Sequence, residues 1–330
     1  MKDLASLILA AGFGTRLRPL TETTPKALIS YAGVPLLYLW LDKLEREGLT
    51  DIAINTHYLS SQLKKAIHTY PKSKDLKLKI SVEKTILGTG GAIHPLRSWI
   101  NDRDLLIVNS DIVTTTNLSN LIKTHRASNS YASMCLLSQR VPRETPIWVK
   151  NGMVIQIGGN SSPSPEASQH SFACQHILSP KFIKEIEGPQ ESSIIETYKK
   201  LLSQKKPIAA FISSEPWFDI GTPKNFYLAH LELLNQKPGN LLKKLKLKDL
   251  SKKLGLRPQQ QNTKDSSRYM SHPIQLNTKI IIRKNFITNG KVKLPEDCTL
   301  ENVLLLERAS IHKGENISQM IVGENFRLKV

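Results

Sequence analysis

The sequence predicts a doubly wound α/β domain with a mixed sheet, followed by a β-rich C-terminal region. Three observations support this prediction. Short apolar runs alternate with segments of helical periodicity through the first part of the chain. Glycines and carboxylates directly follow several of the predicted strands, where the ligand crevice of such sheets lies. After residue 274 the apolar pattern changes and repeats every six residues.

Strands and helices are predicted to alternate along the first 130 residues. The apolar run 4–10 predicts a first strand, and the leucine spacing of 35–47 predicts a helix that ends at Gly48. Further strands are predicted at 51–55, 77–82 and 104–111, and further helices at 57–70, from Gly88–Gly91 onward and at 118–126. This alternation is typical of parallel strands joined by helical crossovers.

The following segment, 131–178, is predicted to be a more irregular β region. Its centre at 158–171 is rich in Gly, Ser and Pro, and we interpret it as a loop. Pro223 is predicted to start a helix that runs to about residue 235, with Thr222 as its N-cap, because proline suits the first helical turn. A helix and a strand are predicted between these segments, at 192–204 and 207–212.

The composition changes at residue 236. Residues 237–257 form an amphipathic leucine/lysine stretch, and 258–273 predict a linker. Beyond it, six-residue spacing joins two apolar sets: Leu294, Leu300 and Leu306, and Ile311, Ile317 and Gly323. This spacing favours a short left-handed β-helix, and an ordinary antiparallel set of strands is an equally open alternative. The predicted domains are 1–235, a basic stretch with linker at 236–273, and 274–330.

The composition bounds the class of protein. With 330 residues, 40% of them hydrophobic, the chain can bury a proper core. There is no apolar run of about 18 residues, so we expect no membrane span. The start of the sequence leads directly into a strand, and we expect no targeting segment. Three distant cysteines (Cys135, Cys174 and Cys298) indicate neither a disulfide framework nor a zinc cluster, so we expect a cytoplasmic protein.

The net charge of +18 is concentrated after residue 235. A basic chain can favour anionic partners, but no aromatic residues interleave with the lysines of 236–268, as a base-stacking surface would need. We therefore interpret the stretch as a solvated face and expect no nucleic-acid partner. Assembly into a homo-oligomer remains open.

A glycine loop with basic residues behind it follows the first strand. Gly12 and Gly14 let the backbone approach a polyphosphate, and Arg16, Arg18 and Lys26 supply positive charge. The loop lacks the Gly-Lys-Ser/Thr of a Walker motif and the third glycine of the dinucleotide fingerprint. Gly-x-Gly by itself is equally compatible with a tight turn, but the whole string indicates a nucleoside triphosphate site.

That string resembles the signature of the sugar-phosphate nucleotidyltransferases, which include guanylyl-, uridylyl- and thymidylyltransferases. The matching residues are Gly12-x-Gly14-Thr15-Arg16-Leu17-x-Pro19-Leu20-Thr21, Pro25-Lys26-Ala27-Leu28 and Gly33-x-Pro35-Leu36. The resemblance covers residues 1–235 and continues through Leu87–Gly91, Asn109–Asp111 and Trp217–Pro223. It implies a Rossmann-like nucleotidyltransferase core. It also implies transfer of a nucleotidyl group from an NTP to a sugar 1-phosphate, giving an NDP-sugar and pyrophosphate.

The resemblance also implies roles for particular residues. Arg16, Lys26 and Asp111 are expected to be catalytic, and Asp111 and Asp219 are expected to hold Mg²⁺. The expected nucleotide-binding residues are Ala11, Gly12, Gly14, Thr15, Arg16, Glu83, Gly88 and Thr89. The expected sugar-phosphate residues are Lys26, Asn109 and Cys174.

Glu83 bears on the choice of base. Uridylyl and thymidylyl members often carry glutamine near this position, and glutamine offers a pyrimidine both a donor and an acceptor. A carboxylate only accepts, and guanine presents two neighbouring donors, so Glu83 favours GTP. UTP or dTTP remains open, as does an ordinary surface pairing of Glu83 with a lysine.

The sequence departs from the family on the sugar side. Relatives commonly carry Glu-Lys-Pro near residue 155, where this chain has 157–160, Ile-Gly-Gly-Asn. Relatives often have Thr-Gly-Ile where this chain has Ala173-Cys174-Gln175, and a cysteine crowds the sugar where glycine admits it. An unusual sugar follows from this, with a non-catalytic regulator that binds nucleotide or NDP-sugar as the alternative.

Overall fold

A computed structural model describes residues 4–142, 144–188, 190–234, 241–262, 266–274 and 279–330. Its residues cluster by contact into two compact units. Unit 1 comprises Met1–Gly12, Lys43–His68 and Lys72–Trp217, and unit 2 comprises Phe13–Asp42, Thr69–Pro71 and Phe218–Val330. These units divide the chain differently from the predicted domains, because residues 13–42 group with the C-terminal region.

The strands within the described residues are β1 Leu4–Leu9, β2 Ser30–Tyr31, β3 Val34–Pro35, β4 Asp51–Thr56, β5 Lys77–Val82, β6 Asp104–Asn109, β7 Ile112–Thr114, β8 Ala132–Leu137, β9 Ile147–Lys150, β10 Met153–Ile157, β11 Ser168–Leu178, β12 Ile208–Ser213, β13 Trp217–Asp219, β14 Gln259–Asn262, β15 Ser266–Met270, β16 Ile281–Asn289, β17 Thr299–Leu306, β18 Asn316–Val322 and β19 Arg327–Lys329.

The α-helices are α1 Leu36–Arg46, α2 Ser60–Thr69, α3 Gly88–Gly91, α4 Arg97–Ile100, α5 Leu118–Ser128, α6 Pro180–Glu185, α7 Ile194–Ser203, α8 Pro223–Leu231, α9 Leu241–Lys244 and α10 Leu247–Lys253. Short 3₁₀ turns lie at Thr15–Leu17, Lys26–Leu28, His94–Leu96 and Glu232–Leu234. Among the described helices, none combines the length and apolar character needed to cross a membrane.

Unit 1 is built on a nine-stranded sheet in the order β5-β4-β1-β6-β11-β8-β12-β10-β9. β5, β4, β1 and β6 run parallel to one another, whereas β11 is antiparallel to both β6 and β8. Apolar side chains of the strands and helices, among them Leu7, Ile107 and Tyr198, form a continuous buried core. The predicted doubly wound mixed sheet is confirmed.

The carboxyl ends of the four parallel strands lie at one edge of this sheet, which we call the carboxyl edge. Leu9 pairs with Asn109, and Thr56 pairs with Val82, so the segments that follow these residues emerge side by side. The residues at and after these strand ends are 10–12, 55–57, 83–91 and 109–111. The order and direction of the strands alone therefore bring the glycine loops and Asp111 to one edge of the sheet.

Two predicted boundaries in unit 1 were wrong. The loop expected to run through residue 171 ends earlier, because Ser168–His170 already pair with Ile147–Val149 in the sheet. The helix expected from Gly88 is only four residues long and is followed by a 3₁₀ turn at His94–Leu96. Polar residues on a paired strand give no apolar signal, and glycines give little helical preference, so neither boundary shows in the sequence pattern.

Unit 2 contains a six-stranded sheet in the order β14-β15-β16-β17-β18-β19. β15 to β18 pair in parallel, with Ile282 opposite Leu300 and Leu300 opposite Ile317. Successive strands are thus 18 and 17 residues apart, which corresponds to three six-residue repeats per coil. This pairing agrees with the β-helix alternative, and antiparallel pairing is restricted to the outer pairs β14–β15 and β18–β19. The left hand of the coil stays a prediction.

The stretch between the predicted domains is structured where it is described. The predicted boundary at 235/236 lies in residues 235–240, outside the described residues. In α10, Leu247 and Leu250 are buried while the lysines are exposed, as the amphipathic pattern predicts. The predicted linker 258–273 instead carries β14 and β15, because the polar strand Gln259–Asn262 pairs with a strand that buries Tyr269.

Candidate active site

The first glycine loop and Asp111 are neighbours at the carboxyl edge of unit 1. Leu9 and Asn109 end paired strands, and Ser110 N–H donates to Leu9 O at 3.1 Å. Ala11 and Gly12 follow one of these strands, and Asp111 follows the other. Asp111 is half-buried. The structure therefore places Ala11 and Gly12, which are expected to bind the nucleotide, near Asp111, which is expected to be catalytic and to hold the metal ion.

Gly12 has open space beside its backbone. A Cβ placed on Gly12 would meet nothing within 4 Å, and the residue is exposed. Neither crowding nor a positive φ therefore requires glycine here. The absence of a side chain leaves the main chain accessible, which suits close approach by a phosphate or sugar oxygen.

Cys174 and Asn109 both lie just beyond the paired parts of β11 and β6. β11 pairs with β6 as far as Gln175 opposite Val108, one residue short of both. Cys174 has φ +61°, within a register irregularity of β11, and Ala173 O accepts a 3.0 Å bond from Trp217 Nε1. This left-handed backbone is a conformation that glycine adopts without strain. Both predicted sugar-phosphate residues of unit 1 therefore reach the same edge.

The second glycine loop is packed against residues 190–192. A Cβ on Gly88 would lie 2.6 Å from Ser192 O, and one on Gly91 would lie 2.6 Å from Gln190 O. Thr89 Oγ1 accepts a 3.0 Å bond from Ile194 N. These glycines are therefore required by packing, and the Thr89 hydroxyl supports the start of α7. The sequence pattern alone suggested only a nucleotide contact for this loop.

Glu83 occupies a different position from the one expected. It is 4% exposed, Oε1 accepts a 2.7 Å bond from Asn55 Nδ2, and Oε2 accepts a 2.9 Å bond from Leu87 N. Both oxygens therefore face donors within unit 1. The geometry removes the argument that an open carboxylate at position 83 reads guanine, and it also excludes a surface pairing with a lysine.

In unit 2, Gly14 organises the signature segment. It has φ +66°, and a Cβ there would lie 2.9 Å from Thr21 Cγ2 and 3.2 Å from Lys26 Cβ. Thr21 Oγ1 donates a 2.7 Å bond to Gly14 O. Glycine at this position therefore lets Lys26 pack close to the turn. Thr15 and Arg16 follow in a 3₁₀ turn with exposed side chains.

Arg16 and Asp219 also approach each other in unit 2. A Cβ on Gly221 would lie 2.7 Å from Asp219 Oδ1 and 3.2 Å from a terminal nitrogen of Arg16. The guanidinium and the carboxylate thus lie over the same glycine. A side chain at position 221 would force them apart, so the Asp-Ile-Gly-Thr-Pro string has a physical reason for its glycine.

The hairpin after Lys26 is held by residues from far along the chain. Gly33 N donates a 2.6 Å bond to Asn289 Oδ1, and Asn289 Nδ2 donates to Ser30 O. Tyr269 Oη donates a 3.1 Å bond to Ala32 O. The two strands β2 and β3 are too short to be stable alone, so these bonds fix the hairpin.

A buried histidine completes this support. His230 Nδ1 donates a 2.8 Å bond to Phe226 O, and Nε2 accepts a 3.4 Å bond from Ala32 N. The ring therefore carries one proton. Burial lowers the pKa of His230 to about 4, with hydrogen bonds to Phe226 and Asn289 opposing the shift. In unit 1, burial lowers the pKa of His176 to about 3.

Sequence reasoning missed three residues that support these loops: Asn55, Ser192 and Asn289. Asn55 ends a predicted strand at the edge where ligands bind, so its position alone could have indicated a role. Ser192 and Asn289 carried no comparable signal, because their importance comes from segments that pack on the loops from elsewhere in the chain.

Among the described residues, no group of three or more His, Cys, Asp or Glu could hold a metal ion by itself. Any divalent cation would rest on one or two carboxylates together with ligand oxygens. That arrangement suits Mg²⁺, which keeps waters and phosphate oxygens in its coordination shell.

Known proteins resemble this chain over about 70% of its length. The nucleotidyl transferase family model matches residues 5–146. A mannose-1-phosphate guanyltransferase of Pichia angusta is 30% identical over 247 residues, which cover 72% of this chain and 67% of the relative. A mannose-1-phosphate guanyltransferase of Emericella nidulans is 28% identical over 250 residues, covering 71% and 67%. The chain thus spans about two thirds of the length of these relatives.

A solved structure shares the fold. HddC from Yersinia pseudotuberculosis, complexed with GMP-PN, superposes with a TM-score of 0.56 at 23% identity, covering 69% of this chain and 99% of that one. The sheet and the loops at its carboxyl edge define an α/β enzyme that handles a nucleotide. The chain belongs to the nucleotidyl transferase family and, within it, to the sugar-1-phosphate nucleotidyltransferases.

Proposed function

We propose that this enzyme transfers a guanylyl group from GTP to mannose 1-phosphate, giving GDP-mannose and pyrophosphate. The nucleotide and the sugar follow from the mannose-1-phosphate guanyltransferases that resemble it over about two thirds of both chains. The observation that carries the reaction class is the carboxyl edge of unit 1, where Gly12, Asn109 and Asp111 meet. Residues 1–235 carry the reaction in this proposal.

In the proposed step, a phosphate oxygen of the sugar 1-phosphate attacks the α-phosphorus of the nucleotide. The new P–O bond forms as the bond to the β-phosphate breaks, and pyrophosphate leaves with its electron pair. Two anions must be brought together, so the protein contributes alignment and positive charge. We assign Arg16 to the leaving pyrophosphate and Lys26 to the reacting phosphates. The exposed position of Arg16 and the open backbone of Gly12 support this assignment.

The family generally works with a divalent metal ion, and we propose Mg²⁺ here, held by Asp111 and Asp219. Both are half-buried carboxylates, and Asp111 lies two residues beyond the end of a parallel strand. Mg²⁺ would neutralise phosphate charge as it shifts toward pyrophosphate. We assign Asn109 and Cys174 to the sugar phosphate, because they lie one residue beyond the last pair of β6 and β11.

The reaction is tested by measuring pyrophosphate release from a matrix of GTP, UTP, dTTP, ATP and CTP against several sugar 1-phosphates, with and without EDTA. We expect the highest kcat/KM for GTP with mannose 1-phosphate and loss of turnover in EDTA. A different productive pair would correct the substrates. Nucleotide binding without turnover in any pair would instead support a non-catalytic regulator.

Asp111→Asn tests the metal assignment. We expect turnover to fall by about a hundredfold or more, since a neutral amide binds Mg²⁺ weakly, while the fold is retained. Asp102→Asn is the matched control, because Asp102 is an exposed carboxylate of unit 1 whose ion pair with Lys184 is solvent-exposed. Near-normal activity in Asp111→Asn would overturn the assignment.

A further inference from the structure

One asparagine side chain joins the two glycine loops of unit 1. Asn55 Oδ1 accepts a 2.7 Å bond from Ala10 N, and Asn55 Nδ2 donates a 2.7 Å bond to Glu83 Oε1. Asn55 is 3% exposed and Glu83 is 4% exposed, so water has little access to these bonds. Asn55 lies on β4, between β1 and β5, and its amide therefore spans the distance between the loops that follow those strands.

Glu83 extends the connection into the second loop. Its Oε2 accepts a 2.9 Å bond from Leu87 N, the residue immediately before Gly88. Its main chain is also fixed, because Glu83 N donates to Thr56 O at 2.8 Å and Glu83 O lies 3.0 Å from His57 Nδ1. The carboxylate thus closes the turn 83–87 from inside. A continuous chain of hydrogen bonds runs from Ala10 N through Asn55 and Glu83 to Leu87 N.

The donors and acceptors allow only one arrangement. Two backbone N–H groups, those of Ala10 and Leu87, end this series of hydrogen bonds, so each must meet an oxygen. Asn55 can accept from Ala10 and donate to Glu83, and a carboxylate at position 83 can accept at both oxygens. Aspartate at position 55 would have no proton for Glu83, and glutamine at position 83 would turn an N–H toward a donor. A buried mismatch of this kind is costly.

We propose that Asn55 and Glu83 are positioning residues that set the spacing of the two nucleotide-binding loops, and that neither side chain reads the base. The proposal rests on the proposed function and on the expectation, taken from the family resemblance, that Ala11, Gly12, Gly88 and Thr89 bind the nucleotide. A fixed spacing lets both loops engage one nucleotide without first being ordered, which strengthens binding by preorganisation.

The test uses the single variants Asn55→Asp and Glu83→Gln and the double variant. We expect each single variant to weaken nucleotide binding by about tenfold, seen as a higher Kd and a higher KM for GTP with an unchanged KM for the sugar 1-phosphate. The double variant should recover most of this loss. In the double variant, the glutamine N–H group at position 83 donates to the aspartate at position 55, and the glutamine oxygen accepts from Leu87 N. The chain of bonds is restored with the charge moved to the other residue.

Asn120→Asp is the matched control, because Asn120 is an exposed asparagine of unit 1 and the same charge change there should leave binding intact. Two outcomes would overturn the proposal: a double variant as impaired as the worse single variant, or a change of base preference in Glu83→Gln. If either single variant does not fold, nucleotide binding by the double variant still decides. Direct titration with GTP separates this proposal from the reaction, since it needs no turnover.

Discussion

At the carboxyl edge of unit 1, Asn55 joins the ends of adjacent strands, whereas the hairpin β2–β3 of unit 2 is held by distant parts of the chain. Asn55 bonds to Ala10 and Glu83, which are 45 and 28 positions away. In unit 2, Tyr31 bonds to Ala229 across 198 positions, and Gly33 bonds to Asn289 across 256. The hairpin that closes the signature segment therefore depends on residues of α8 and β16.

This difference follows from topology. Parallel strands with helical crossovers bring their carboxyl ends to one edge, so the loops of unit 1 meet once the sheet exists. The hairpin β2–β3 has only two residues per strand and cannot be stable alone. Its buried polar groups need partners from β15 and β16. Residues of the C-terminal region thus support the hairpin that follows Lys26.

The largest effect that tests this comparison is expected from Asn289→Ala. Asn289 is 5% exposed and satisfies Gly33 N and Ser30 O at once. Its truncation leaves both half-buried groups without that partner, which should lower the free energy of unfolding by about 2–4 kcal/mol. Chemical denaturation measures this loss, and proteolysis at the hairpin should be faster.

Asn316→Ala is the control, because Asn316 is an exposed asparagine of the same sheet and should change stability by no more than about 0.5 kcal/mol. Equal stability of the two variants would show that β16 does not hold the hairpin, and the contrast between the two units would lose its main support.

The same contrast explains what the sequence could predict. The strands of unit 1 have clear apolar runs, so the sheet and its carboxyl edge were predicted correctly. The N-cap was also predictable, and Thr222 Oγ1 accepts from Asn225 N at 3.2 Å. The six-residue spacing left a β-helix and an antiparallel set of strands equally open, and the parallel stacking of Leu300 and Ile317 in one core agrees with the first.

Other features could not be predicted, because they depend on partners distant in sequence. The segments that form β14 and β15 were predicted to be a linker, because glutamine and serine give no apolar pattern. Their strand structure depends on pairing with neighbouring strands. The sequence led us to expect that Glu83 contacts the base, because it does not reveal that Asn55 and Leu87 N face the carboxylate oxygens. The two units themselves were not predictable from composition.

A smaller effect is expected from acid. Burial holds the folded-state pKa of His230 at about 4 and that of His176 at about 3. The unfolded chain binds protons near pH 6.5 and the folded chain does not, so stability is full above that pH and falls as pH decreases toward the folded values. Each histidine should lower the free energy of unfolding by about 1 kcal/mol as the pH falls from about 5.5 to about 4.5.

Denaturation at a series of pH values, on the protein and on His230→Asn and His176→Asn, measures these slopes. Each variant should have a flatter dependence than the unchanged protein. Only His230→Asn should also speed hydrogen exchange at Ala32 N, which donates to the ring in unit 2. Faster exchange there in both variants would contradict separate support for the hairpin.

The smallest effect is expected at Cys174 of unit 1, because the strain there lies in the backbone of that one residue. A non-glycine residue at φ +61° carries backbone strain of about 1–2 kcal/mol, and glycine removes that strain at the cost of more freedom in the unfolded chain. We therefore expect Cys174→Gly to raise the free energy of unfolding by about 0.5 kcal/mol.

Cys174→Ala is the matched control, because it removes the sulfur and keeps the strained Cβ. Glycine should exceed alanine in stability by about 1 kcal/mol, and this difference isolates the backbone. If Cys174 also limits the space for the sugar phosphate, the glycine variant should accept a wider range of sugar 1-phosphates, with the KM for the nucleotide unchanged. Alanine and glycine variants of equal stability would show that β11 relaxes around position 174, and that its irregularity imposes no strain on the cysteine.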